Sequence, residues 1–95
     1  MKTMIQAQNA TVMFVTDPSH GWLAVATDVD ELDGLPEAAS FASRFSYVGP
    51  GMVFLEEDED AVKFIKHYGI DTTQLPTHHY EDTDHFIRFL PRGNN

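Results

Sequence analysis

Residues 52 to 69, MVFLEEDEDAVKFIKHYG, decide the fold. Met52, Val53, Phe54 and Leu55 form an unbroken apolar run entered from Gly49-Pro50-Gly51, as expected of a strand covered on both faces. Glu56, Glu57, Asp58, Glu59 and Asp60 follow, and such a like-charge run persists only where water or a helix N-terminus accepts it. Asp58 is the expected cap of a helix over 59–68, with Glu59 and Asp60 in its first turn. Ala61, Phe64, Ile65 and Tyr68 recur at helical spacing on one stripe, while Lys63, Lys66 and His67 take the other. Glu59 precedes Lys63 in the favourable order for an ion pair of about 0.3 to 0.5 kcal/mol. Gly69 then stops the helix, and Ile70 can fold back on Ile65.

Outward from this unit, Thr11 to Thr16 alternates, with Val12 and Phe14 on one side and Met13 and Val15 on the other. Asp17-Pro18-Ser19-His20-Gly21 supplies turn chemistry, so Trp22 to Ala26 should return as its antiparallel partner. Thr27 and Asp30 suggest a short helix ending at Gly34, and Pro36 can start another turn through Phe41. Phe45 to Val48 pairs with the 52–55 strand across the glycine turn. Leu75 to Tyr80 and Phe86 to Leu90 read as a last extended pair joined by Glu81-Asp82-Thr83-Asp84. The expected architecture is a single α+β domain over 1–95, with a mostly antiparallel sheet of about four to six strands and the 59–68 helix packed on one face. Residues 1–10 and 91–95 are expected to be flexible ends.

Composition narrows the function classes. The chain contains no cysteine, which removes thiolate nucleophiles, disulfides and cysteine zinc sites, and makes a reducing, cytoplasmic location the expectation. No run has the length of a membrane span, so no membrane association is expected. Fifteen acidic residues against six basic ones give a formal charge of −9, a field that opposes direct nucleic-acid binding and attracts basic protein surfaces. No phosphate loop, dinucleotide fingerprint or hydrolase elbow is present, and no cofactor is implied.

Two clusters are candidates for chemistry. Glu56, Glu57, Asp58, Glu59 and Asp60 offer a partner-binding surface, though without the central glycine and alternate spacing of a calcium loop. His79, Asp82, Asp84 and His85 offer nitrogen and oxygen ligands to a divalent metal, but their spacing matches neither a zinc protease helix nor a finger. Arg88, between Phe86 and Phe89, is expected to pair with a carboxylate rather than hold an anionic ligand.

His20-Gly21-Trp22-Leu23 with Val25, Phe45-Ser46-Tyr47 with Gly49 and Gly51, Leu55-Glu56-Glu57-Asp58 with Asp60-Ala61 and Phe64, and Ile87-Arg88 form a combination of motifs. Together they resemble a widespread family of small bacterial proteins, commonly encoded on plasmids and phages, with no established activity. The resemblance covers most of the chain after Asp17 and implies a common fold and origin without assigning a catalytic residue. This chain departs from the family pattern in a longer segment between Val25 and Phe45 and in a more acidic stretch at 81–84.

The expected role is that of a non-enzymatic accessory protein that binds a protein partner or a second copy of itself. The alternatives are a nucleic-acid mimic that inhibits a nucleic-acid-handling protein, and a metal-dependent enzyme using residues 78–85.

Overall fold

The structure is a computed structural model that describes residues 12–27 and 36–94. Five strands, β1 (Val12–Thr16), β2 (Gly21–Ala26), β3 (Tyr47–Gly49), β4 (Met52–Glu56) and β5 (Thr77–His79), form one sheet in the order β3-β4-β2-β1-β5. One helix, α1 (Asp60–Tyr68), packs on it, so the architecture is α+β. The pairs β1–β2, β2–β4 and β3–β4 are antiparallel, and β1–β5 is parallel. The short helix expected near 27–34 falls outside the described residues.

Alternation along the strands builds two cores. Val12, Leu23, Val25, Val53 and Leu55 face α1, where Ala61 and Phe64 meet them together with Ala38, Ala42 and Ile70. Val15, Trp22, Ala24, Tyr47 and Phe54 face the other way, against Ile87. β2 lies between both layers, and all six of its residues are buried. The 3-10 turn Pro36–Phe41 closes the first core, with the Phe41 ring edge-on to Phe64 at 5.3 Å. The small, fully buried Ala38 in the turn and Ala42 just after it allow the close approach.

The ends of α1 combine an expected stop with an unexpected start. Gly69 adopts the left-handed conformation at φ 68°, and both it and Ile70 donate backbone N–H groups to the Ile65 carbonyl, with Ile70 returning to the core. Asp58 is not the cap. Glu59 occupies that position without a side-chain bond, and the Glu56 carboxylate accepts the N–H groups of Asp58 and Glu59 instead. Glu59 and Lys63 form no side-chain ion pair among the described residues; Glu59 takes the cap position at φ −126° and ψ −58°, and its backbone carbonyl accepts the Lys63 N–H at 3.1 Å.

The last pair of extended segments is also corrected. β5 adds to β1 in parallel, and Phe86–Phe89 forms a 3-10 turn rather than a strand. The bonds of His85 and Arg88 to Asp17, with Ile87 fully buried, override the β preference of this aromatic run. Pro91 to Gly93 then runs along β3: the Val48 N–H donates to the Pro91 carbonyl at 2.7 Å and the Gly93 N–H to the Ser46 carbonyl at 3.0 Å. Gly93 has a packing reason, since a Cβ there would stand 2.3 Å from the Ala42 carbonyl oxygen and 2.5 Å from that of Ser43. Backbone oxygens cannot step aside as a flexible side chain would. Gly93→Ala is therefore expected to cost about 1 to 3 kcal/mol and to free the Val48 amide, read as lower thermal stability and faster hydrogen exchange at Val48.

Candidate functional site

Asp17 organises the region where the β1–β2 turn meets the C-terminal segment. In the Asp-Pro-Ser-His turn its Oδ1 accepts the backbone N–H groups of Ser19 at 2.9 Å and His20 at 2.8 Å. From the other end of the chain, Arg88 donates Nε to Oδ2 at 3.0 Å and Nη2 to Oδ1 at 3.2 Å, a two-pronged grip. His85 Nε2 lies 2.7 Å from Oδ2. Burial by itself would raise the Asp17 carboxyl, but the bonds from His85, the Ser19 and His20 N–H groups and Arg88 outweigh it and hold the group well below the usual carboxylate range. The His85 ring stacks on Tyr80 at 4.4 Å and meets Trp22 edge-on at 5.6 Å, leaving Nδ1 buried with no hydrogen-bond partner.

A second buried carboxylate fastens the other end of the acidic corner. Asp60 is 3 % exposed, and its Oδ2 accepts the Ser43 N–H at 2.8 Å, the Ser43 hydroxyl at 2.7 Å and the Ser46 hydroxyl. Ser46 Oγ in turn accepts the Glu56 N–H at 2.8 Å. The acidic run is thus divided by environment. Asp60 is an internal tie, Glu56 caps the helix, and Glu57, Asp58 and Glu59 are exposed.

Between these two networks lies a cleft of about 410 Å³. Trp22 and Tyr47, both nearly buried, form its floor, and Phe45, 55 % exposed, stands at its rim. Glu56, Asp58 and Glu59 line one part, and His20, Arg88 and Arg92 also contribute. The cations are already engaged. Arg88 holds Asp17 and the Ser19 hydroxyl and lies 5.6 Å over Trp22, while Arg92 donates to the Arg44 carbonyl and lies 4.6 Å over Tyr47. Among the described residues the carboxylates of Asp58 and Glu59 have no partner. The cleft therefore combines aromatic surface with unspent negative charge, a composition suited to cationic groups.

The other proposed cluster is dispersed. His79 Nδ1 lies 2.8 Å from the Thr16 hydroxyl, His85 is consumed by Asp17, and Asp82 accepts the Asp84 N–H at 2.9 Å on the exposed surface. Among the described residues no group of three or more His, Asp or Glu is placed to hold one metal ion. No helix among them is long and apolar enough to cross a membrane.

Reading the sequence alone passes over Asp17 as a site residue. The available signal is its place at the head of an Asx-type turn, combined with an Arg in a distant aromatic run that needs a carboxylate. Removing the charge leaves the Arg88 guanidinium without its counter-charge and the His85 ring without its carboxylate partner, so Asp17→Asn is expected to destabilise the fold by roughly 3 to 5 kcal/mol. Because the folded carboxyl is depressed, its contribution is present above the unfolded value of about 3.9 and is lost as pH falls through the lower folded value. Acid denaturation followed by circular dichroism should accordingly show a shallower dependence on pH below about 4 in Asp17→Asn than in the parent chain.

No family model, curated protein or solved structure matches this chain.

Proposed function

We propose that this chain is a non-catalytic binding protein whose contact surface is the cleft between the acidic corner and the C-terminal turn, and whose partner presents a cationic protein segment there. One observation carries the reading. Residues from four separate motifs, His20 and Trp22, Phe45 and Tyr47, Glu56 and Asp58, and Arg88, line the same cleft although they span most of the described chain. These residues also belong to the motif combination read from the sequence.

The chemistry of the partner follows from which charges remain available. Arg88 and Arg92 are held by the protein itself, whereas Asp58 and Glu59 are not. A Lys or Arg side chain entering beside the exposed Phe45 would meet the Asp58 and Glu59 carboxylates, the faces of Trp22 and Tyr47 being covered by Arg88 and Arg92. The overall charge of −9 draws such a partner in and repels nucleic acid. Basic surfaces that otherwise hold nucleic acid fall within the same partner class.

Trp22 is the single tryptophan and lies in the cleft floor, so its emission reports occupancy. Titration with an Arg-rich peptide is expected to shift that emission with an affinity that falls as salt rises. The double substitution Asp58→Asn with Glu59→Gln, which spares the Glu56 cap, should weaken binding by about tenfold or more, about 1.4 kcal/mol. Binding that ignores both salt and the double substitution would overturn the proposal.

A further inference from the structure

Two concavities share the Phe86–Phe89 turn as a wall. One is an uncharged groove of about 380 Å³ lined by Met13, Met52, Phe54, Phe86 and Leu90 among others. The other is the cleft, and its two arginines are fastened very differently. Arg88 gives two bonds to the buried Asp17 carboxylate and a third to the Ser19 hydroxyl, and its side chain is 25 % exposed. Arg92 is exposed, gives one bond of 2.8 Å to the backbone carbonyl of exposed Arg44, and pairs with no carboxylate among the described residues. Its guanidinium carbon stands 4.6 Å from the centre of the Tyr47 ring, inside a cleft that also holds Glu56, Asp58 and Glu59. The backbone here is fixed independently of that side chain, since the bonds along β3 are made by Pro91 and Gly93. A cation of this protein therefore sits where ring, carbonyl and carboxylates converge, held by contacts that any guanidinium can make.

On the reading that the cleft takes a cationic segment, we propose that the Tyr47 ring and the Arg44 carbonyl form an arginine subsite, which Arg92 fills in the free protein and vacates for an arginine of the partner. The exchange is local. An exposed side chain changes rotamer rapidly, and turning out to water costs Arg92 one bond to a carbonyl and one ring contact. The incoming guanidinium regains both, with Asp58 and Glu59 in the same cleft. Arg88 does not exchange in this way, because withdrawing it would leave the Asp17 carboxylate buried without its permanent counter-charge. The subsite selects arginine over lysine, since a planar guanidinium lays its face on a ring while its N–H fork reaches the carbonyl, and a compact ammonium does not combine the two. A tethered competitor also lowers the apparent affinity by the fraction of molecules in which the subsite is filled.

Titration of Trp22 emission with an Arg-rich peptide, in the parent chain, Arg92→Ala and Arg92→Met, tests this. Both substitutions remove the same charge, but Met keeps the Tyr47 ring covered and Ala uncovers it. Arg92→Ala is expected to bind about threefold or more tighter than Arg92→Met, with a smaller difference for the matching Lys-rich peptide. Equal affinities for the two variants would make Arg92 a contributor of charge alone and overturn the proposal. The unmodified chain supplies a second readout by nuclear magnetic resonance. The δ-methylene protons of Arg92, shifted upfield by the Tyr47 ring, are expected to move back toward open-chain values as Arg-rich peptide saturates the cleft. Protons that stay shifted at saturation would overturn it equally. A parent chain that binds the peptide and loses affinity on Asp58→Asn with Glu59→Gln keeps the proposed function standing through either of these failures. Absence of binding to the parent and to both variants would sink the two readings together.

Discussion

The buried carboxylate of Asp17 is the constraint on which the second layer of this protein depends. The first layer, α1 on the sheet, is held by apolar burial that any oily stripe of the right period would supply. The second is a single 3-10 turn with one fully buried aliphatic residue, Ile87, and apolar contact at that scale does not fix an orientation. Asp17 does. Its two oxygens receive donors from its own turn and from His85 and Arg88, and the Arg88 fork sets both the position and the rotation of the C-terminal segment. A buried charge is costly unless every lone pair is answered, so the network tolerates few alternatives.

From that anchoring the two concave surfaces follow together. The residues between His85 and Leu90 contribute Arg88 to the cleft and Phe86, Ile87 and Leu90 to the groove, so the walls of both are set by one fastening. The tail beyond continues the arrangement, since Pro91 to Gly93 bonds along β3 and brings Arg92 over Tyr47. Sheet edges thereby differ: residues 91–93 bond along β3, whereas no further strand pairs with β5 among the described residues.

The legibility of these features tracks how local their causes are. The β4 strand, the helix and its glycine stop are readable because period, charge placement and a left-handed residue lie within one short window. The β1–β2 hairpin is readable for the same reason, down to the faces taken by Val12 and Val15. By contrast, the Phe86–Phe89 turn has a strand-like pattern, and what makes it otherwise sits at Asp17, on the far side of the sequence. Asp60 is hidden likewise. Within the window it is one more carboxylate in a solvated run, and only Ser43 and Ser46, brought in by the β3–β4 hairpin, account for its burial. The candidate site is half legible in consequence: Glu56 and Asp58 stand out by local charge, whereas their aromatic floor of Trp22 and Tyr47 emerges only from strand order.

The same division explains why the cleft keeps its negative character. Arg88 lines it and carries a charge that, left free, would turn toward Glu56, Asp58 or Glu59 and cancel part of their field. Asp17 prevents this by holding the guanidinium at two points, in a geometry that solvent-exposed carboxylates on a turn cannot match. The charge of Arg88 is thus paired inside the fold, while Arg92, exposed and held by a neutral carbonyl and a ring, keeps its positive charge beside the Glu56, Asp58 and Glu59 carboxylates. The acidity of the cleft is a product of internal pairing, and Asp17, which never reaches the surface, controls it.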